Sequence, residues 1–589
     1  INYYEFKYRE ADYGPYPKGL MYYLTMMDSW LYDETKPFIH IEAGDTFDEL
    51  KKNARNGYFE KLIKEYLLDN NHKSIISLVP EYGLEKEKEQ KEADKLAEYK
   101  STLTNDELEE LVKKTKELKE YQDTPSSQED LEKIPMLELS DIKREPAKDY
   151  NDVKSVDGIK IVHHNIFTNK IAYINMSFDT KCVPDELIPY MGLLGSTLSL
   201  MDTKNYTYPE LTNEININCG GLATGTALYS DKVDFSKNTI VYEVKSKALY
   251  EKVPFVLGMM EEIMYNTRFD DYKRLKEIIA RIKSRLEASL MGQGHSIAML
   301  ECCAQFSESA YYSDILRGYK YYEFIKKLDE EFEQNKTQIV DKLNKLVGYI
   351  FNKDNVIVSL TADDEGYDCF VKALSAKSCN IKDEHYNTAV RSFIPVNVKT
   401  GYTSASQVQY VARCGNFVKD GYKYTGALKV LKVIFSYDYL WINVRVKGGA
   451  YGCMSGSSRN GDFYMVSYRD PNLEKTNDIY EGAADYIRNF NVSRRDMVKF
   501  IIGTIGEIDA PLTPSAIGSR SFTHYMCNCT EDMLRKDREE VLDATVESIR
   551  ELAPLIESAV GQNYLCVVGN QKQINEAADL FDEIKPLIG

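Results

Sequence analysis

Apolar residues recur at helical spacing near the start of the chain. Tyr58-Phe59, Leu62-Ile63 and Tyr66-Leu67 repeat the i, i+3, i+4, i+7 stripe, and Gly19-Leu20-Met21-Tyr22-Tyr23-Leu24 leads into a similar run. Residues 1–80 therefore read as helical. No strand pattern accompanies them, so their apolar face needs cover from outside, and 1–80 is expected to be the tail of a domain whose sheet lies elsewhere. From 81 to 135 charge takes over. Glu85 to Lys100 is dominated by it, and Thr104-Asn105-Asp106-Glu107 forms a capping box before a second helix. Leu108, Leu111, Val112 and Leu118 give that helix one narrow apolar face, and Asp123-Thr124-Pro125-Ser126-Ser127 breaks it. A helical hairpin, acting as linker or hinge, is predicted over 81–135.

Beyond 136 the period mixes two and 3.6. Ile159 to His164 and Ile171 to Phe178 read as strands paired around Thr168-Asn169. A helix from about 185 to 200 follows, then strands around Gly220-Gly221 and over 239–245, helices near 247–265 and 270–292, and a closing strand, Val356 to Leu360. A second unit over 381–589 repeats the order. It has a strand at 407–412, a helix over 424–439, the segment 445–452, a strand at 463–467, helices near 471–490 and 530–558, and a strand at 564–568. Two α+β units of like order, 136–380 and 381–589, predict an internal duplication.

The 589 residues are too many for one core and suggest three or four domains. A net charge of −18 argues against nucleic acid and anionic membrane surfaces as partners. It suits long-range attraction of basic peptides, or simply keeps the surface soluble. The eleven cysteines are odd in number and lack zinc-finger spacing, which reads as reduced thiols and a cytoplasmic location. No run of about twenty apolar residues is present to span a membrane. The start at Ile1 has neither an initiator Met nor a signal pattern, so the chain is expected to be a fragment or a processed piece.

The richest chemistry lies in Arg445-Val446-Lys447-Gly448-Gly449-Ala450-Tyr451-Gly452. Arg offers up to five fixed donors and Tyr one hydroxyl, a set that can hold a peptide carbonyl or stabilise an oxyanion. Gly448 and Gly449 permit a sharp turn and close approach of another chain. The residues alone leave a second reading open, a Gly-Gly hairpin with a surface Arg and a packed Tyr. The segment resembles the Arg/Tyr element of pitrilysin- and insulinase-type zinc metallopeptidases, in their presequence-protease branch. Gly14-Pro15-Tyr16-Pro17-Lys18-Gly19-Leu20, Leu137-Glu138-Leu139-Ser140-Asp141-Ile142 and Gly518-Ser519-Arg520-Ser521 resemble the same branch, in the expected order.

The resemblance implies four homologous α/β sandwich domains, two per half, joined by a helical linker. On that mapping 1–80 ends domain two, 81–135 is the linker, 136–380 is a non-catalytic third domain, and 381–589 is a fourth carrying the Arg/Tyr element. It also implies that Arg445 and Tyr451 are catalytic and that Arg445, Gly448, Gly449 and Tyr451 bind substrate. Unstructured peptides are the implied substrates, and the N-terminal zinc-binding half of the same enzyme is the implied partner. The family's zinc motif, H-x-x-E-H, is absent: no two of the seven histidines lie three or four apart, and the helix where it belongs reads Ile188 to Gly195. No metal site is expected in this chain; zinc would be bound by the other half, and the chain alone should be inactive. Two weaker metal candidates are Asp383-Glu384-His385 and His524 with Cys527 and Cys529; Cys453 is a weak candidate nucleophile. The alternative to a half-enzyme is a non-catalytic peptide-binding or scaffold subunit of a two-chain complex.

Overall fold

The computed structural model describes residues 1–124, 126–377 and 380–588; Pro125, in the predicted helix break, and Cys379 lie outside that set. The chain divides into two compact units, one made of 1–44 with 142–589 and the other of 45–141. In the first, residues 152–362 supply β1 (Asp152–Val156), β2 (Ile159–Asn165), β3 (Ile171–Asp179), β4 (Leu222–Ser230), β5 (Asn238–Leu249) and β6 (Val356–Ala362). They form one sheet in the order β1-β2-β6-β3-β5-β4. Only the β2–β6 pair is parallel. The predicted direct pairing of the second and third strands is therefore incorrect: β6, nearly 180 residues downstream of β3, inserts between them. Its sequence, VIVSLTA, is buried throughout or nearly so, as an interior strand requires.

Residues 400–586 build a second sheet from β7 (Thr400–Ser404), β8 (Tyr410–Asn416), β9 (Gly452–Ser457), β10 (Asp462–Tyr468), β11 (Tyr564–Asn570) and β12 (Glu583–Pro586), in the order β12-β7-β11-β8-β10-β9. Strip one edge strand from each sheet and the two are the same object. β2-β6-β3-β5-β4 matches β7-β11-β8-β10-β9 in order and in every direction, including a single parallel pair at the same place. The duplication expected from element order is a fact of topology. The edge strands differ, because β1 precedes its unit and pairs antiparallel whereas β12 follows its unit and pairs parallel.

Helices Ile188–Thr197, Val253–Tyr265, Tyr272–Gly292 and Phe332–Ile350 close one face of the first sheet over a core that includes Phe178, Met191, Leu194, Tyr242 and Ile279. Helix Pro514–Met526 covers part of the other face with Phe522, against Val162, Tyr229 and Val241. His163 and His164 point to opposite faces of β2, as adjacent strand residues must. His163 Nε2 donates to Ala362 O at 3.0 Å. His164 Nδ1 donates to Tyr150 O, and its Nε2 accepts from Ser359 Oγ at 2.9 Å. Burial lowers the His164 pKa to about 4. The folded state thus resists a proton that the unfolded chain takes up near pH 6.5, so stability from this group is complete above 6.5 and lost as pH falls toward 4. The loss should reach about 3 kcal/mol, at 1.36 kcal/mol per pKa unit. Thermal melts of the parent and of His164→Gln between pH 7 and 4 check this; the variant should lack that part of the slope.

In the unit 45–141, helices Leu84–Thr102 and Asn105–Asp123 follow one another with only Leu103 and Thr104 between them. The capping box forms as read: Glu107 N donates to Thr104 Oγ1 at 3.3 Å and Thr104 N to Glu107 Oε2 at 2.8 Å. Among the described residues no helix is long and apolar enough to cross a membrane.

Candidate functional site

The helix predicted to end near 439 runs further. Ala427–Ile434 is α-helical, and π-helical turns over Phe435–Tyr439 and Trp441–Val446 carry it past Arg445. Arg445 therefore sits on the last helical turn, not on the strand that the sequence reading placed against a peptide. The extension puts Trp441 four residues before it, on the same helix face. The guanidinium carbon lies 4.0 Å from the Trp441 ring centroid and 5.7 Å from that of Tyr451. Stacking on the indole fixes the guanidinium plane while leaving its edge donors free.

Gly448 and Gly449 then reverse the chain. Gly449 has φ +83°, which a side chain rarely adopts, and its N–H donates to Arg445 O at 2.8 Å. A Cβ on Gly448 would lie 2.4 Å from Val444 O. Asn472 Nδ2 holds Gly448 O at 2.6 Å, and Asp470 fixes that loop through Asn472 N at 2.9 Å and Thr476 Oγ1 at 2.7 Å. Asp470 is fully buried, and burial raises its pKa. Tyr451 enters β9 by donating its N–H to Tyr468 O at 3.1 Å, with its ring edge-on to Tyr468. Its side chain is 66% exposed. Among the described residues, neither the Arg445 guanidinium nor the Tyr451 hydroxyl has a hydrogen-bond or ion-pair partner. The pair thus offers ungated donors at one place.

Burial pushes the Cys453 thiol up to about 11, outweighing the nearby Arg445 charge, so it is protonated at neutral pH and a poor nucleophile. A cavity of about 670 Å³ beside the pair is lined by Trp441, Tyr451, Cys453, Tyr468 and, from the first half of the chain, Gln293 and His295. Sequence reasoning missed Trp441, Tyr468 and His295. The i, i+4 spacing could have revealed Trp441 had the helix been extended; His295 arrives over a long sequence separation and leaves no local signal.

The other motifs are structural. In Gly518-Ser519-Arg520-Ser521, Arg520 Nη2 donates to Lys148 O at 2.7 Å and Ser521 Oγ accepts from Tyr150 N at 3.1 Å. His524 Nδ1 pairs with Asp149 Oδ2 at 2.6 Å, turned away from Cys527 and Cys529. Helix Ile188–Thr197 is packed with apolar side chains and bears no carboxylate, imidazole or thiol, so its donor set does not fit a metal. Among the described residues one group of three possible ligands converges, Asp354, Asp383 and His385, and all three are exposed. His385 Nδ1 is hydrogen-bonded to Asp354 Oδ2.

Residues 78–328 match the family described as associated with peptidases of subfamily C of family M16, and residues 401–570 match "PreP C-terminal domain". Over its whole length the chain is 40% identical to "Protein HypA" of Clostridium perfringens, covering 60% of that protein. It is 29% identical to "Presequence protease 1, chloroplastic/mitochondrial" of Arabidopsis thaliana, again over its whole length and covering 55% of that protein. The chain thus spans a little over half the length of these relatives. The fold is shared with a conserved protein from Enterococcus faecalis, at TM-score 0.52 and 13% identity over 71% of this chain and 97% of that one.

Proposed function

The chain belongs to the presequence-protease branch of the M16 peptidases, as a C-terminal half, and on that premise we propose that it supplies the peptide-holding half of a zinc-dependent endopeptidase acting on unstructured peptides. The observation that carries the reading is the convergence of Arg445 and Tyr451 on one side of the Gly448-Gly449 turn, both with free donors. Arg445 binds a backbone carbonyl of the peptide and then the negative charge that grows on oxygen as the carbonyl is attacked. Tyr451 adds a hydroxyl donor alongside. Such groups help catalysis when they are fixed in advance where the charge develops. Here Trp441 fixes the guanidinium, and Asn472 and Asp470 fix the turn. Zinc, held by the N-terminal half, supplies the activated water. Helix Ile188–Thr197 offers no ligands for it, so this chain alone is inactive.

Cleavage of a labelled unstructured peptide with zinc present tests the reading, using the chain alone and then mixed with a zinc-binding N-terminal half from the same family. Silence alone and chelator-sensitive cleavage on mixing are expected. Peptide binding without cleavage in any mixture would point instead to a scaffold subunit. Cleavage by the pure chain would overturn the division of labour.

A further inference from the structure

The hairpin that joins β9 to β10 fixes which way the β9 backbone faces. Gly461 N donates to Ser458 O at 3.0 Å and Ser458 N to Asp462 O at 2.9 Å. From there the register runs unbroken, Ser457 opposite Phe463 to Gly452 opposite Tyr468. Bonded and non-bonded positions alternate in an antiparallel ladder. Gly456, Met454 and Gly452 therefore spend their N–H and C=O groups on β10. The N–H and C=O of Ser457, Ser455 and Cys453 face outward, where no strand lies, since β9 ends the sheet.

Exposed edges are ordinarily blunted by charge, proline or shortness. The opposite edge of this sheet is: β12 has four residues and includes Glu583, Lys585 and Pro586. Edge strand β1 of the first sheet carries Asp152 and Lys154. β9 reads Gly-Cys-Met-Ser-Gly-Ser and has neither charge nor proline. Space lies along it. The cavity beside Tyr451 borders residues 451–454, and a second of about 760 Å³ borders Ser455 to Ser458; Gln293 and Ser296 line both. Edge strand β4 of the first sheet is equally bare, but it starts with Leu222 and Ala223 and has no Arg–Tyr pair at its head.

We propose that an extended peptide adds to the open edge of β9 as a further strand, hydrogen-bonded to Cys453, Ser455 and Ser457, with Arg445 and Tyr451 at one end. The inference rests on the peptide-holding reading of that pair and states how the rest of the peptide is held. Five residues, 453–457, span roughly 17 Å at about 3.4 Å each, enough to order a short peptide segment. Recognition runs through main-chain groups, so it tolerates varied side chains and rejects proline or N-methyl groups wherever the peptide must donate.

Fluorescence polarisation with the 589-residue chain and two labelled peptides tests this. Both peptides carry three N-methyl groups, one on alternate residues and the other on three consecutive residues. The alternate pattern leaves one clean edge in any register; the consecutive pattern spoils both. Binding within about twofold of the parent is expected for the first and a loss of about tenfold or more for the second, one to two hydrogen bonds' worth. Ser457→Pro removes an outward N–H that the ladder does not use and should weaken parent-peptide binding similarly, with an unchanged melting temperature. Equal binding of the two methylated peptides overturns strand addition. If Arg445→Ala then still abolishes binding, the Arg–Tyr reading stands without it. If the methylation pattern matters and Arg445→Ala does not, strand addition stands and the Arg–Tyr reading falls.

Discussion

Arg445→Ala is expected to lower kcat/KM for peptide cleavage, in the mixture with the zinc-binding half, by about 10²–10³-fold, the usual loss when one fixed donor to an oxyanion is removed. Tyr451→Phe should cost less, about tenfold or below, because one neutral hydroxyl is worth about 0.5–1.5 kcal/mol. Neither change should disturb the fold. Arg445 has no hydrogen-bond or ion-pair partner among the described residues, and Tyr451 is two-thirds exposed. Arg445→Lys should not restore the rate. The ammonium keeps the charge but loses the planar fork that stacks at 4.0 Å on Trp441. Steady-state cleavage of a labelled peptide, with melting curves of each variant, separates the outcomes. A loss under about tenfold for Arg445→Ala, with the fold intact, would return the segment to the reading of a surface Arg on a Gly-Gly turn.

How much of this could be read beforehand follows the range of the interactions. The Thr104 capping box is a contact three residues long, and it formed as written. The duplication was visible because the order of elements survives when residues do not. The position of β6 was not, since strand order depends on which distant segment fills the gap between β2 and β3. The Arg445 segment shows the middle case. Its residue types signalled donors and a tight turn, and both are present. Its secondary structure was misread because Trp441-Ile442-Asn443-Val444 carries β-branched and aromatic residues of strand character, yet packing of Val444 in the core holds it helical. The motif Gly518 to Ser521 was legible as a family signature but not as a fastening, because Lys148 and Tyr150, its partners, lie some 370 residues away.

Gly415→Ala should be among the most destabilising single-methyl changes in the second sheet. A Cβ there would sit 1.9 Å from Ala559 O and 2.6 Å from Ala559 C, both backbone atoms of helix Ala553–Gly561. The helix cannot simply retreat. Arg413 Nη2 donates to Val560 O at 3.1 Å, and Gln562 brackets Asn416 through bonds of 2.8 Å to its N–H and its carbonyl. Overpacking of this kind costs about 1–3 kcal/mol, and the rigid neighbour places Gly415→Ala at the upper end, about 3 kcal/mol. Gly518→Ala makes the comparison informative. Its Cβ would lie 1.8 Å from Thr361 Oγ1, nominally a closer clash. That neighbour is a side chain, and Gly518 lies inside helix Pro514–Met526, where replacing Gly by Ala returns about 1 kcal/mol of helix propensity. The net cost should be about 1–2 kcal/mol, smaller than at Gly415 despite the shorter distance. Urea or thermal unfolding of the two variants gives the order directly. If Gly518→Ala proves the more damaging, the seam between β6 and helix Pro514–Met526 is stiffer than a threonine rotamer change allows, and that motif is the tighter of the two fastenings.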